Sequence, residues 1–549
     1  MSTPDWIVLI ATLSCIIIYG VYKSRATKNL DGYFLSNRDM PWYLVLLSIM
    51  GTQASAITFL SAPGQAYTDG MRFVQYYFGL PLAMIVLCVV FVPVFNRLKV
   101  YTAYEFLENR FDLKTRTLTS FLFQVSRGLS TGISIYAPSL ILSSLLGWNI
   151  YYTNLIMGGM LIIYTVSGGA RAVAHTQKLQ LIIVVIGMCI AGYVVVHLMP
   201  ENVGFLDALQ IGGNSGKMNV ITSGRTADGF DWKDKYNIWS GVIGGFFLAL
   251  SYFGTDQSQV GRYLTAQDNR QSKIGLLING LVKVPMQFLI LMLGVLVFSF
   301  YQFHKAPIYF NETQVTRAKE TPFRDSLLVL EANYASIKAN DAVQKNSINK
   351  KYKAVLSEAL PGEDINDTNY IFLRFVIDYL PTGLIGLLIA IIFLAAWGSI
   401  AAALNALASC TVVDIHKKFF REDLTQKMDY RISKLYTFAW GIFCIAVAEF
   451  ASNLGNSLIE TVNILGSLFY GVILGIFLVA FWFKSIKANA MFYASIVAEV
   501  FVIAIYKADI ISFLWLNVIG AVLVILLGYL LQVFIKTDHD NSRKMKVED

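Results

Sequence analysis

The chain has 549 residues, of which 56% are hydrophobic and only 15% charged, with a mean hydropathy of +0.56. Soluble proteins carry about 25% charged residues, so this composition leaves too little polar surface for a water-facing fold. Apolar runs of roughly 20 residues recur along the chain, and each can cross about 30 Å of hydrocarbon. The sequence therefore predicts an all-α polytopic membrane protein, located as a multi-pass protein of the plasma membrane.

Hydropathy predicts about 13 transmembrane helices, with ends uncertain by about two to four residues. An odd number of spans places the two termini on opposite sides of the membrane. In chain order the predicted spans are 5–22, 41–62, 73–96, 118–146, 149–167, 177–199, 238–258, 274–303, 382–413, 433–453, 458–482, 488–506 and 509–535.

Basic residues are distributed unevenly over the connections between these spans. If the N-terminus lies outside, the cytoplasmic connections and tail hold 26 Lys and Arg residues, whereas the short external loops hold only Arg72 and Lys507. The positive-inside rule therefore predicts the N-terminus outside and the C-terminus inside. The net charge of +8 reflects this orientation and predicts no nucleic-acid partner. The longer polar segments 200–237 and 304–381 are expected outside, as caps over a vestibule.

Two predicted spans are interrupted by small and polar residues. Span 41–62 contains Gly51-Thr52-Gln53-Ala54-Ser55, and span 238–258 contains Ser251-Tyr252-Phe253-Gly254-Thr255-Asp256-Gln257. One interpretation is a notch for close helix packing. The other is an unwound segment whose free carbonyls coordinate a cation. Counted from Pro41, the second interrupted span is the sixth, so the breaks occupy matching places in two inverted five-helix units, which favours the second interpretation.

Ionisable residues within predicted spans are candidates for function. Arg127 and Lys283 could each face a cavity, and the planar fork of Arg127 suits both oxygens of a carboxylate. The alternative for Arg127 is an internal ion pair or a clamp on backbone carbonyls. Asp256 is expected near the cytoplasmic end of its span, in a gating or helix-end role. No phosphate-binding loop, metal-ligand spacing or nucleophile motif appears, so no enzyme is predicted.

Several segments, in order between about 33 and 482, resemble one family. They are Thr102-Ala103-Tyr104-Glu105-Phe106-Leu107-Glu108-Asn109-Arg110-Phe111, Gly168-Gly169-Ala170-Arg171-Ala172-Val173 with Thr176 and Gln180, Thr255-Asp256-Gln257-Ser258-Gln259-Val260-Gly261-Arg262, and Leu404-Asn405 with Asp414-Ile415-His416-Lys417. Together they resemble the sodium/solute symporter family, which includes sodium/glucose, iodide, multivitamin, monocarboxylate and sialic-acid symporters. Ser55 to Tyr67 and Gly132 to Pro138 look most similar to the iodide, multivitamin and monocarboxylate branch.

The resemblance implies a LeuT-type core of five-plus-five inverted repeats. Residues 41–199 and 238–482 would form the two repeats, joined by the external loop 200–237, with the loop 304–381 inside the second. Residues 1–40 would add an N-terminal helix and a cytoplasmic linker. Residues 483–549 would add two helices and a short cytoplasmic tail.

The resemblance also implies a sodium site between the first and eighth core helices. The carbonyls of Gly51, Ala54 and Ala395 and the hydroxyl of Ser399 would bind the ion, and oxygen ligands suit a hard cation. The chain departs from the family in two places. Gly398 stands where members often have a hydroxyl residue, and Gln177 stands where many have an aspartate that serves a second sodium site. One sodium per solute is therefore expected.

By position, the resemblance assigns a set of solute contacts and an inner gate. The gate residue is Tyr252, an aromatic that closes the cavity toward the cytoplasm in the sugar symporters. The solute-binding candidates are Gln53, Ser55, Thr58, Phe73, Gln75, Tyr77, Arg127, Ser130, Lys283 and Asn463.

The expected function is sodium-coupled secondary active symport of a small polar organic solute by alternating access. Arg127 favours a small organic anion, such as a sialic acid or a monocarboxylate, whereas Lys283 and Tyr252 keep a sugar or polyol open. The alternatives are a proton-coupled or rewired transporter of the same fold, and a membrane sensor that keeps the fold. The expected partners are the solute, sodium and the lipid bilayer, and the protein is expected to act as a monomer.

Overall fold

The computed structural model describes residues 1–24, 30–337, 342–420, 425–451 and 457–535, so parts of the predicted linker within 1–40 and the tail after 535 lie outside it. The described chain is almost entirely helical. Its strands are the short antiparallel pair β1 (Arg225–Thr226) and β2 (Gly229–Phe230). The 3₁₀-helices are Ser36–Arg38, Met71–Tyr77 and Thr368–Tyr370, and the π-helices are Leu87–Phe91, Ser240–Gly244 and Thr411–His416.

The α-helices account for most of the described residues. In chain order they are α1 (Thr3–Ser24), α2 (Leu30–Leu35), α3 (Trp42–Gln53), α4 (Ala56–Asp69), α5 (Leu80–Val86), α6 (Val92–Leu98), α7 (Glu105–Arg110), α8 (Leu113–Leu146), α9 (Ile150–His197), α10 (Phe205–Asn214), α11 (Gly245–Thr255), α12 (Gln257–Tyr263), α13 (Asn269–Phe303), α14 (Glu312–Ala318), α15 (Arg324–Ser336), α16 (Ala342–Ala359), α17 (Ile371–Tyr379), α18 (Leu384–Cys410), α19 (Lys417–Phe419), α20 (Gln426–Phe450), α21 (Leu458–Trp482), α22 (Ala488–Lys507) and α23 (Phe513–Phe534).

Within the described ranges, nine helical segments are long and apolar enough to cross a bilayer, and the bent pair α3 and α4 makes a tenth. Three shorter apolar stretches accompany them, namely Thr3–Ile16, Ile150–Val166 and Ser240–Thr255. Each predicted span overlaps one of these helices. The polytopic helical fold is therefore confirmed, whereas the count of 13 crossings stays a prediction.

Helix α9 contains two of the predicted spans in one helical run of 48 residues, which would be about 72 Å long if straight. The hydroxyl of Tyr164 nevertheless lies 2.7 Å from that of Thr176. A straight helix would separate these residues by about 18 Å along its axis, too far for the two side chains to meet. The chain therefore bends sharply between them, which separates span 149–167 from span 177–199 without the non-helical connection that hydropathy suggested.

Helix α18 is the central element of the core, because every residue from Leu388 to Cys410 is buried. Its many alanines and small residues allow α3, α8, α9 and α20 to pack closely around it. At its beginning, the carboxylate of Asp5 accepts hydrogen bonds from the backbone N–H groups of Gly383 at 2.6 Å and Gly386 at 3.4 Å. Helix α1 thus satisfies donors that have no partner within α18 itself.

The segment 304–381 contains helices α14 to α17, and it has a small hydrophobic cluster of its own. This cluster is formed by Ile308, Tyr309, Ala318, Leu327, Tyr352, Leu356, Ala359 and Leu360. Phe310 attaches the segment to the end of α4 through a ring contact with Tyr67 at 5.7 Å between centroids. The expectation of a simple cap missed this separate cluster, because short amphipathic helices give little hydropathy signal.

Close backbone packing between α13 and α4 generates a stability prediction. A Cβ atom at Gly294 would collide with the carbonyl oxygen of Pro63. We expect Gly294→Ala to lower the free energy of unfolding by about 1–3 kcal/mol, as overpacking does, because one helix must shift. Thermal unfolding in detergent measures this, with Gly159→Ala as the control, since among the described residues nothing lies within 4 Å of a Cβ there. Equal melting temperatures for the two variants would contradict the prediction.

Candidate solute and sodium sites

The first interruption predicted from the sequence is a real break between α3 and α4, whose axes are bent by 59°. Ala54 (φ −78°, ψ 72°) and Ser55 (φ −83°, ψ 168°) are the two non-helical residues. Gly51 and Thr52 remain in the last turn of α3. The position of the break is therefore confirmed, and it lies at the C-terminal side of the small-residue segment.

This break removes regular hydrogen bonds from the backbone on both sides. The N–H of Ser55 donates to the carbonyl of Gln53 rather than to that of Gly51, and the N–H of Thr58 donates to Ser55 rather than to Ala54. The C-terminal end of α3 carries partial negative charge and favours a cation, whereas the N-terminal end of α4 carries partial positive charge and favours an anion. The break therefore provides places for a cation and an anion side by side.

The second interruption is narrower than the sequence suggested. Helix α11 continues to Thr255, and only Asp256 (φ −76°, ψ 114°) is extended before α12 begins. The Asp256 carboxylate caps α12 by accepting a hydrogen bond from the N–H of Ser258 at 2.7 Å. Tyr470 on α21 donates to the same carboxylate at 2.6 Å. The expected helix-end position of Asp256 is thus the one the structure shows.

A cavity of about 140 Å³ lies next to both breaks. Its wall includes most of the candidate residues, namely Gln53, Ser55, Thr58, Tyr77, Arg127, Ser130, Tyr252, Lys283, Ser399 and Asn463. Sequence reasoning missed the rest of the wall, which is mainly Tyr76, Thr131, Ser134, Leu248, Ile400, Ile459, Val462 and Tyr470. The apolar ones carry no distinguishing signal, because an apolar side chain at a cavity has the same helical spacing as one in a packed core. Thr131 and Ser134 do carry one, since each lies four residues after a candidate, on the same face of α8.

Two candidate residues do not line the cavity. Phe73 is fully buried behind the wall, where it stacks on Tyr76 and meets Tyr236 edge-on. Gln75 donates hydrogen bonds to Thr222 and to the carbonyl of Tyr236, so it fastens the segment 200–237 to the core. Their assignment as solute contacts is therefore corrected. On the same short 3₁₀-helix, Tyr77 does line the cavity, and the ring of Phe73 packs behind it at 6.1 Å between centroids.

Arg127 satisfies both interpretations made from the sequence, since it has an internal partner and also lines the cavity. Its Nη1 lies 3.8 Å from the Oδ2 of Asp256, and its guanidinium carbon lies 6.0 Å from the ring centroid of Tyr252. Its Nε is buried and has no hydrogen-bond partner in the described part of the chain. The guanidinium is therefore held in place but keeps donors available.

Lys283 is 2% exposed, and its Nζ lies 5.5 Å from the ring centroid of Tyr77. In the described ranges, no carboxylate lies within 4 Å of it. No acidic residue is found among the described residues that line the cavity. The cavity wall thus carries two cationic side chains, and only Arg127 has a nearby counter-charge, which makes the cavity electropositive.

The predicted sodium ligands lie on the two helices that Gln177 bridges. The amide of Gln177 donates to the carbonyl of Gly398 on α18 at 3.0 Å and to the hydroxyl of Thr52 on α3 at 3.2 Å, and it accepts from Ser48 at 2.9 Å. Residue 51 of α3 and residue 399 of α18 are therefore close neighbours. The freed carbonyls of the α3 end and the Ser399 hydroxyl stay the predicted ligands, since oxygen atoms suit sodium.

The structure also explains why Gly398 lacks the hydroxyl that the family often has. A Cβ at this position would collide with Oε1 of Gln180 and approach the Cγ of Gln177. Both glutamines come from α9, so they fill the space that a larger residue would need. Of the motif that precedes them, the side chains of residues 168–172 lie outside the described residues.

The motif around Tyr104 fastens the second helix break to neighbouring helices. The Tyr104 hydroxyl donates to the carbonyl of Thr255 at 2.7 Å. A few residues on, Glu108 accepts hydrogen bonds from Arg116 and Lys418. Burial by itself raises the pKa of Glu108, but these bonds and the two positive charges outweigh it, so the pKa lies below its usual value. The carboxylate is therefore ionised at neutral pH and ties the connection between α6 and α8 to α8 itself and to α19.

A broken membrane helix and a second helix break beside a buried electropositive cavity are typical of a membrane transporter. A model of the sodium:solute symporter family matches residues 33–320 and 347–498. The chain belongs to this family and is a symporter with sodium as its coupling ion, and not an enzyme.

Relatives cover nearly the whole chain. A sodium/sialic acid symporter of Aliivibrio fischeri is 25% identical over 541 residues, which are 96% of this chain and 93% of the relative. Sodium-coupled monocarboxylate transporter 1 of Xenopus laevis is 26% identical over 88% of this chain and 68% of its own length. A Na⁺-coupled sialic acid symporter solved in a substrate-bound outward-open state has a TM-score of 0.78 at 23% identity, covering 97% of this chain and 98% of its own. The LeuT-type fold is thereby confirmed.

The candidate sodium ligand Ser399 has a matched control on the same helix. Ser399 donates to the carbonyl of Ala396 at 3.0 Å, and Ser409 makes the equivalent bond to Ala406 at 2.9 Å. We expect Ser399→Ala to raise the sodium concentration for half-maximal uptake roughly tenfold, because a charged group loses one oxygen ligand. Ser409→Ala should leave it unchanged. An equal sodium dependence in both variants would remove Ser399 from the site.

Proposed function

We propose that this protein imports a small organic anion of the monocarboxylate class together with sodium, by alternating access. The observation that carries the proposal is the pair Arg127 and Lys283 on a cavity wall that has no carboxylate in the described residues. An uncompensated charge at membrane depth is costly, and an anionic solute would neutralise it. The N-terminal end of α4, which includes the wall residue Ile57, adds a positive partial charge at the same place.

The size of the cavity supports a small solute. Its volume of about 140 Å³ is similar to that of an engineered cavity of about 150 Å³ that holds benzene. A sialic acid has a larger skeleton with several branches, whereas a short or aromatic monocarboxylate fits. Leu248, Ile400 and Val462 offer an apolar surface for the hydrocarbon part of such a solute. Among the relatives, the proposal therefore follows the monocarboxylate transporters rather than the sialic acid symporters.

The proposed cycle begins with sodium at the junction of α3 and α18. The ion would stabilise the broken end of α3 and add positive charge beside the cavity, which favours the anion bound next to Arg127. Because the two binding free energies are linked, each ligand raises the affinity for the other. Movement of the two repeats, 41–199 and 238–482, would then open the site to the cytoplasm, where low sodium releases both ligands. The proposed N-out orientation rests on the charge distribution, and the proposed monomeric state rests on a cavity whose wall comes from a single chain.

A sugar or polyol is a second candidate, since the hydroxyl groups of Thr58, Ser130 and Ser134 and the amide of Gln53 also line the cavity. Such a solute would leave the charges of Arg127 and Lys283 unneutralised. A screen of solutes separates the two classes, because the binding affinity for a neutral sugar does not depend on the charge of the guanidinium.

Arg127 is the residue whose replacement tests the solute class. In a thermal-shift screen of monocarboxylates, sialic acids, sugars and polyols, we expect sodium-dependent stabilisation by a small monocarboxylate. Arg127→Gln should weaken that binding by at least about 30-fold, as loss of a bidentate charged pair does. Arg127→Lys is the matched control, because it keeps the charge but loses the planar fork, and it should be intermediate. Stabilisation by sugars alone, unchanged in Arg127→Gln, would overturn the proposal.

Gln177 generates a prediction for the coupling ratio. Its amide nitrogen donates to the groups that surround it, whereas a carboxylate at this position could bind a cation. We expect a ratio of one sodium per solute, measured as the ratio of labelled sodium uptake to labelled solute uptake into proteoliposomes. For a monovalent anion this ratio moves no net charge, so no solute-dependent current is expected. A ratio of two sodium ions per solute would contradict this interpretation of Gln177.

A further inference from the structure

The carboxylate of Asp256 accepts three hydrogen bonds from groups other than Arg127. Its Oδ1 accepts from the N–H and the hydroxyl of Ser258, at 2.7 and 2.6 Å, and its Oδ2 accepts from Tyr470 at 2.6 Å. The residue is 1% exposed. Three short bonds satisfy a buried carboxylate well, so Asp256 is fixed at the second helix break by partners on α12 and α21.

Arg127 approaches the same carboxylate without forming a hydrogen bond. The Nη1 to Oδ2 distance of 3.8 Å exceeds the normal range for a hydrogen bond, so the attraction is between the two charges alone. Its Nε has no partner in the described chain. In a bidentate pair a carboxylate binds two guanidinium nitrogens at once, and this geometry leaves that fork free.

We propose that Asp256 is a positioning residue whose attraction for Arg127 is displaced by the carboxylate of the solute, so that solute binding loosens the second helix break. This inference rests on the proposed function, in which Arg127 binds that carboxylate. Without solute, the negative charge of Asp256 holds Arg127 toward the part of the cavity wall formed by Tyr252 and Tyr470, here called the floor. A bound carboxylate is a closer partner, and it draws the guanidinium away from Asp256.

Several contacts between helices meet at this floor. Tyr252 and Tyr470 line the cavity with their ring centroids 5.9 Å apart. Gln259 on α12 donates to the Tyr252 hydroxyl at 2.7 Å, and Arg127 on α8 lies against the Tyr252 ring. The break between α11 and α12 is therefore held to α8 through Arg127 by one ion pair and one ring contact. When the solute takes Arg127, both contacts weaken together, so α8 holds the break less tightly, whereas the hydrogen bonds from Tyr470 and Tyr104 remain.

A double-mutant cycle with Asp256→Asn and Arg127→Gln tests this exchange. Asparagine keeps the size of the side chain and an oxygen that can accept from Ser258, but it removes the charge that competes for Arg127. The probes are benzoate and its neutral isostere benzamide, with dissociation constants measured by calorimetry in sodium. We expect Asp256→Asn to tighten benzoate binding about tenfold, to change benzamide binding less than about twofold, and to have no effect in the Arg127→Gln background.

Transport provides a second measurement. Because Asp256 competes with the solute for Arg127, we expect Asp256→Asn to lower both the KM and the kcat of benzoate uptake. A solute that is bound more tightly is released more slowly. Ser258→Ala is the matched control, because it removes one hydrogen bond to the same carboxylate but keeps the charge. It should shift benzoate and benzamide affinity equally.

Different results would contradict the exchange at Arg127 and the proposed anion site. Weaker benzoate binding in Asp256→Asn, or an equal change for benzoate and benzamide, would overturn the exchange while leaving Arg127 as the anion site. A lack of benzoate binding to the wild type, or unchanged benzoate binding in Arg127→Gln, would overturn the proposed anion site itself.

Discussion

The constraint on which the structure depends is the need to satisfy backbone polar groups inside a bilayer, where water is excluded. Between Gln53 and Ala56, two residues are not helical, so the backbone there loses regular helical hydrogen bonds. Carbonyls at the end of α3 and N–H groups at the start of α4 then lack their regular partners. Sodium and an anionic solute can supply the missing interactions. The break is thus the place where we propose that sodium and the solute bind.

The side chains around the break keep it stable and specific. Gln177 bridges α3 and α18 through hydrogen bonds to Thr52 and Gly398, so the two helices that carry the proposed sodium ligands stay together. On the cavity side, Arg127 and Lys283 supply positive charge where α4 begins. Charge of one sign in a buried cavity is tolerated because Asp256 partly balances it and because the solute completes the balance.

The sequence was enough to predict the helical membrane fold, both interruptions and most polar residues of the cavity. These follow from hydropathy, from small residues at mid-span and from charges that are costly in lipid. Position alone failed for Phe73 and Gln75, because a 3₁₀-helix rotates side chains by a different angle per residue than an α-helix does. The sharp bend of α9 and the space filled by Gln180 were also unpredictable, since both depend on contacts between residues far apart in the sequence.

The central claim is that a sodium gradient drives uptake of a small monocarboxylate through this cavity. The most direct measurement is uptake of radiolabelled benzoate into proteoliposomes that contain the purified protein, with an inward sodium gradient or with equal sodium on both sides. We expect benzoate to accumulate above its equilibrium concentration only with the sodium gradient, and we expect this accumulation to be lost when sodium is replaced by potassium. Equal uptake under all these conditions, across the panel of monocarboxylates, would contradict the central claim.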